Sequence, residues 1–163
     1  MTQPEATAPA PLPSGSRVVH IGPSKTGTTS LQAALWEART RLEKQGIHFA
    51  GDQRHSVMAA RAGARTRDEH YDDAEDAPPW MWNALVRDVR RSKADRVILS
   101  SEFLAHAEEA GIRAIADDIG PDTIQILVTL RPIAKMLSSL WQQQPGASPR
   151  NAKCAGKVRL ASS

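Results

Sequence analysis

A single cysteine, Cys154, stands in 163 residues. That excludes an internal disulfide and any metal site built on a cysteine cluster. Long apolar runs are missing too: the longest are strand-sized, far short of the ~20 residues a membrane-spanning helix needs. The first sixteen residues, rich in Pro, Ala and Ser, lack the basic start and apolar stretch of a secretory signal. A cytoplasmic protein with a disordered leader over 1–16 is the expectation. Aromatic residues make up only 4%, and they are not interleaved with basic ones as on a nucleic-acid surface. Carboxylates disappear after Asp122, while Arg131, Lys135, Arg150, Lys153, Lys157 and Arg159 remain. A solvated basic tail over 144–163 is the reading of that imbalance, with no nucleic-acid or membrane partner.

What is present is an ordinary composition, 40% hydrophobic and 24% charged, with 21 basic residues against 18 acidic. The length suits one α/β domain with a real core, and not two. Apolar runs at Arg17 to Ile21, Ile47 to Ala50, Arg96 to Ser100 and Thr123 to Leu130 read as strands. Helical patterns run from about Thr28 to Gln45, His55 to Ala64, Pro78 to Ser92 and Glu108 to Ile119, and again after Pro132 through Trp141. In the third helix Trp82, Leu85, Val86 and Val89 form a buried stripe at helical spacing. An acidic loop, with Asp68, Glu69, Asp72, Asp73, Glu75 and Asp76, precedes it. Strands alternating with helices predict a mainly parallel sheet joined by right-handed crossovers and flanked by helices.

Two strand-to-helix junctions carry chemistry. At the first, Val18 to Ile21 feeds into Gly22-Pro23-Ser24-Lys25-Thr26-Gly27-Thr28-Thr29-Ser30, and an amphipathic helix leaves it. Backbone N–H groups at a helix start lack internal partners, and the helix dipole adds partial positive charge there. Gly27 lets the backbone approach a ligand closely, and Lys25 supplies a full positive charge. Ser24, Thr26, Thr28, Thr29 and Ser30 offer hydroxyl donors. This is an anion cradle, but not the Walker A loop, because its lysine precedes the glycine. At the second junction the last strand ends in Arg131-Pro132, at the sheet end where open α/β folds place their ligands. Ser139 follows eight positions later, two turns into the next helix.

The order Pro23-Ser24-Lys25-Thr26-Gly27-Thr28-Thr29-Ser30-Leu31-Gln32 resembles the 5′-phosphosulfate loop of sulfotransferases. Arg131 and Ser139 are similar in spacing to that family's 3′-phosphate site. The resemblance implies a P-loop-like α/β core that binds 3′-phosphoadenylyl sulfate (PAPS) as donor without a metal. A sulfuryl group would pass to a hydroxyl or amine acceptor, a small molecule or glycan. It implies that Lys25 neutralises the leaving oxygen while Ser24, Thr26, Gly27, Thr28, Thr29 and Ser30 grip the 5′-phosphate. Sulfotransferases place a glutamate or histidine base near the end of the third strand. Glu102 is the first candidate here and His106 the second.

The resemblance covers most of residues 17–143, and only the N-terminal half of a typical sulfotransferase domain. A truncated domain with an open apolar flank, and hence self-association, is therefore expected. Two other readings stay open: a catalytically inactive nucleotide-binding remnant, and a nucleotide kinase or hydrolase with an unusual phosphate loop. His20 reads as a packed core residue, and His48, His55 and His70 carry no ligand spacing.

Overall fold

The structure, a computed structural model, describes residues 10–65 and 77–141, and of residues 138–140 the backbone only. The acidic loop, the N-terminal nine residues and the basic tail lie outside it. The described residues form four strands and five α-helices in the order β1 (Arg17–Ile21), α1 (Thr28–Glu43), β2 (Ile47–Phe49), α2 (Val57–Ala64), α3 (Pro79–Arg91), β3 (Arg96–Ser100), α4 (Glu109–Ile119), β4 (Ile124–Val128) and α5 (Ile133–Trp141). One short 3₁₀ turn at Glu102–His106, not foreseen from the sequence, follows β3. Among the described residues no helix is long and apolar enough to cross a membrane.

The four strands form one sheet in the order β2-β3-β1-β4, with every pairing parallel. The chain from β1 to β2 passes over β3, and the chain from β3 to β4 passes over β1. β1 is therefore central, and its loop opens between the ends of β3 and β4. Strand alternation divides the work of its two faces. Val19, Val97 and Leu99 look into the main core, where Trp82, Leu85, Val86 and Val89 of α3 pack with Ile115 and Ile119 of α4. The other face carries Val18, His20 and Ser100, and there α1 lies across the sheet. Its Trp36 meets Phe49 of β2 edge-on at 6.5 Å, and Arg39 stacks over the same indole.

The helix boundaries have local causes. Pro79 sits at the first position of α3, where a missing N–H costs nothing. α2 starts at Val57, two residues later than the apolar pattern suggests, with Ser56 as N-cap and the His55 side chain bonded to Gln32. The end of the expected leader is tied down. Gly15 N–H donates to the Asp95 carbonyl at 2.6 Å, Arg96 Nε donates to the Leu12 carbonyl at 2.9 Å, and Ser16 is buried.

The β4 flank is different. Ile126, Leu127 and Val128 of β4, with Leu130 after it and Ile133, Leu137 and Trp141 of α5, are all exposed. Among the described residues β4 has a neighbour on one edge only, and while Ile124 packs against the core, the strand is exposed from Gln125 to Val128. An apolar run specified the strand here without specifying what buries it.

The two tryptophans that open α3 separate core from surface. Trp82 is buried, with its Nε1 donating to Asp118 at 2.6 Å, whereas Trp80 is 62% exposed. Trp82→Ala should lower unfolding free energy by about 3–5 kcal/mol in urea titrations, and Trp80→Ala by less than about 0.5 kcal/mol. Equal losses would contradict this division.

Candidate anion-binding site at the ends of the parallel strands

Between β1 and α1 the chain makes a tight loop with two left-handed residues, Lys25 at φ 71° and Gly27 at φ 99°. For glycine that conformation is free, but for lysine it costs about 1–2 kcal/mol. Residues held in such strain gather at ligand-binding sites. Gly27 is the N-cap of α1, and no side chain caps the helix. Gly22 opens the loop under a different constraint. A Cβ there would stand 2.5, 2.7 and 2.9 Å from the hydroxyls of Thr129, Thr26 and Thr28.

Those three hydroxyls lie inside the loop. Thr26 Oγ1 donates to the Pro23 carbonyl at 2.7 Å and lies 3.4 Å from Thr28 Oγ1. Thr28 is 2% exposed, so its side chain is spent on holding the loop. Ser24, Thr29 and Ser30 are the exposed hydroxyls of the expected set.

Beneath the loop, His20 joins three strands. One ring nitrogen bonds Ser100 Oγ of β3 at 2.7 Å, and the other bonds Thr129 Oγ1 beyond β4 at 3.1 Å. Thr129 also donates its N–H to the Ile21 carbonyl at 3.0 Å and approaches Thr26 Oγ1 at 3.5 Å. His20 is a packed core residue, as expected, but it is also the polar link between the strand ends and the loop. The role of Thr129 had no sequence signal, because it depends on β1 and β4 lying side by side.

Two residues on, Arg131 turns back toward the loop. Its Nη1 donates to the Lys25 carbonyl at 3.4 Å, a long bond made by an exposed guanidinium. The two junctions singled out in the sequence, 106 residues apart, therefore meet. Ser139 stands on α5, and its side chain is not among those described.

On the far side of the loop a cavity of about 280 Å³ opens among Thr29, Gln32, His55, Arg61, Ser101 and Glu102. Glu102, half-buried at the start of the 3₁₀ turn, thus shares a wall with the loop. His106, at the other end of that turn, is exposed beside Phe103 and does not line the cavity. Sequence reasoning gave His55 no role, yet the structure orients it. Gln32 Nε2 donates to the Ser100 carbonyl at 2.9 Å, which turns its Oε1 toward His55 Nδ1 at 2.8 Å. His55 Nδ1 must then carry the proton, and Nε2 is left as the basic nitrogen. The available signal was the spacing of Gln32 from Thr28, one turn apart on one helix face.

Complete burial holds the His20 imidazole below its ordinary pKa of 6.5. Below pH 6.5 the unfolded chain binds a proton that the folded state resists, so stability is full above that value and falls as pH drops through it. Urea unfolding between pH 5.5 and 8 should show this slope, and His20→Gln should reduce it while lowering stability throughout. An unchanged slope in that variant would assign the effect to other histidines.

No family model, curated protein or solved structure matches this chain, so the chemistry of the site rests on its own residues.

Proposed function

We propose that this chain binds the two phosphates of PAPS at the Lys25 loop and Arg131, and transfers its sulfuryl group to a hydroxyl or amine. The observation that carries this reading is the approach of Arg131 to the Lys25 loop. The Arg131 guanidinium reaches the backbone of the loop that carries Lys25, beside the start of α1, which no side chain caps and which adds partial positive charge. A ligand with one phosphate suits either feature alone, but a nucleotide with phosphates on both sides of its ribose engages both. The residues present fit such a group. Ser24, Thr29 and Ser30 are exposed at the lip, and Gly27 has open space above it.

The chain's own groups then divide the chemistry. The loop N–H groups and Lys25 stabilise negative charge as it develops on the leaving oxygen, usually the largest catalytic contribution. Glu102 lines the adjoining cavity with Thr29 and accepts the acceptor's proton. Lys25 keeps a strained backbone that glycine would adopt freely, which is understandable if its charge is what the position is for.

The test is calorimetry with 3′,5′-adenosine bisphosphate, adenosine 5′-phosphate and ATP, in EDTA. The bisphosphate should bind most tightly. Arg131→Ala should weaken it by about 1–3 kcal/mol, as for one charged hydrogen-bonding partner, and should leave the 5′-monophosphate nearly unchanged. Lys25→Gly should weaken both ligands while staying within about 1 kcal/mol of the parent in stability, since glycine relieves the left-handed strain. A preference for ATP with a strict Mg²⁺ requirement would favour a kinase or hydrolase. Equal losses on both ligands in Arg131→Ala would show that this arginine supports the loop and reads no second phosphate.

A further inference from the structure

A second, larger cavity lies beyond the β2–α2 connection, with Ser56 and Val57 forming the wall between the two. It encloses about 530 Å³, within the usual range for small-molecule pockets. Its charged lining is of one sign. Asp52 and Asp88 contribute carboxylates, and among the described lining residues there is no lysine or arginine. Asp88 is held in place: His48 Nε2 bonds its two oxygens at 3.0 and 3.1 Å, and the Gly51 N–H donates to it at 2.8 Å. The His48 nitrogen facing Asp88 therefore carries the proton.

Beside the polar Gln53 and Ser56, the remaining wall is apolar and adaptable. Met58 and Met81 present thioethers, and Trp80 lines the same cavity while 62% exposed. An indole and two carboxylates lining one cavity suit an organic cation, whose charge the carboxylates attract while the ring face packs its apolar body. The methionines reshape around an apolar body at low cost. An anion would meet two carboxylates and no counter-charge, and a neutral ligand would leave that field unused.

We propose that this cavity is a binding site for a hydrophobic amine, an organic cation with an aromatic or alkyl body. The ammonium group sits toward Asp52 and Asp88, and the apolar body lies against Trp80, Met58 and Met81. No residue of the Lys25 loop and neither Arg131 nor Glu102 lines this cavity, so the inference stands apart from the sulfuryl-transfer reading. The cationic lip and the acidic cavity are opposite in sign, and one ligand class does not serve both.

The experiment compares phenethylamine, 2-phenylethanol and phenylacetate, three probes of one shape and three charges, by calorimetry on the full chain at low salt. Phenethylamine should bind about tenfold or more tightly than the alcohol, and phenylacetate should not bind. Asp52→Asn changes an exposed side chain and should remove most of the amine's advantage over the alcohol. Trp80→Ala should weaken amine and alcohol together. Asp88 is left intact because it also holds the Gly51 N–H. Equal affinity for amine and alcohol, amine binding untouched by both variants, or no amine binding at all would each overturn the proposal.

Discussion

A neutral imidazole buried at the centre of the sheet is the constraint on which the rest depends. His20 uses both ring nitrogens, one on Ser100 and one on Thr129, so β1, β3 and the end of β4 are joined at one point. A buried polar group left without its partner costs about 1–3 kcal/mol, which makes this arrangement close to all-or-none. Thr129 passes the constraint upward, because its hydroxyl packs against Gly22 beside those of Thr26 and Thr28. The loop then rests on a floor of hydroxyls with no room for a side chain at residue 22. Arg131 follows Thr129 by two residues, so fixing that threonine also delivers the guanidinium to the Lys25 carbonyl.

Above that floor the molecule separates charge. Lys25 and Arg131 gather at one end of α1, while Asp52 and Asp88 border the larger cavity across the Ser56–Val57 wall. Glu102 and His55 line the smaller cavity, next to the Lys25 loop. The Lys25 loop, the cavity that Glu102 lines and an acidic recess therefore lie along the same edge of the sheet, the edge where parallel strands end.

The elements were legible because their patterns are local. Val18 to Ile21 and Arg96 to Ser100 read as buried strands, and the Trp82, Leu85, Val86 and Val89 stripe lies in the core. The parallel sheet followed from alternation of strands and helices. The strand order did not, since which strand lies beside β1 is decided by packing between distant segments. The same limit explains the site. Lys25, Gly27 and Glu102 stood out as residue types in a motif, whereas Thr129, Gln32 and His55 matter only through partners 108, 68 and 23 residues away. The inward turn of Thr26 and Thr28 was also hidden, because a hydroxyl in a loop can bond a ligand or the loop itself. The apolar flank of β4 and α5 shows a third limit. Hydrophobic pattern gives an element and its wish for burial, but not the surface that meets it.

The most direct test of the central claim, that the loop on the His20 floor and Arg131 form one phosphate-binding unit, is an amide chemical-shift map. The ¹⁵N-labelled chain would be titrated with 3′,5′-adenosine bisphosphate in EDTA. The account predicts the largest changes at the amides of Lys25 through Ser30 and at Arg131, saturating together, with little change at Gly51 and Asp88. Changes confined to one of the two segments, different saturation curves for the two, or a map centred on the acidic cavity would contradict it.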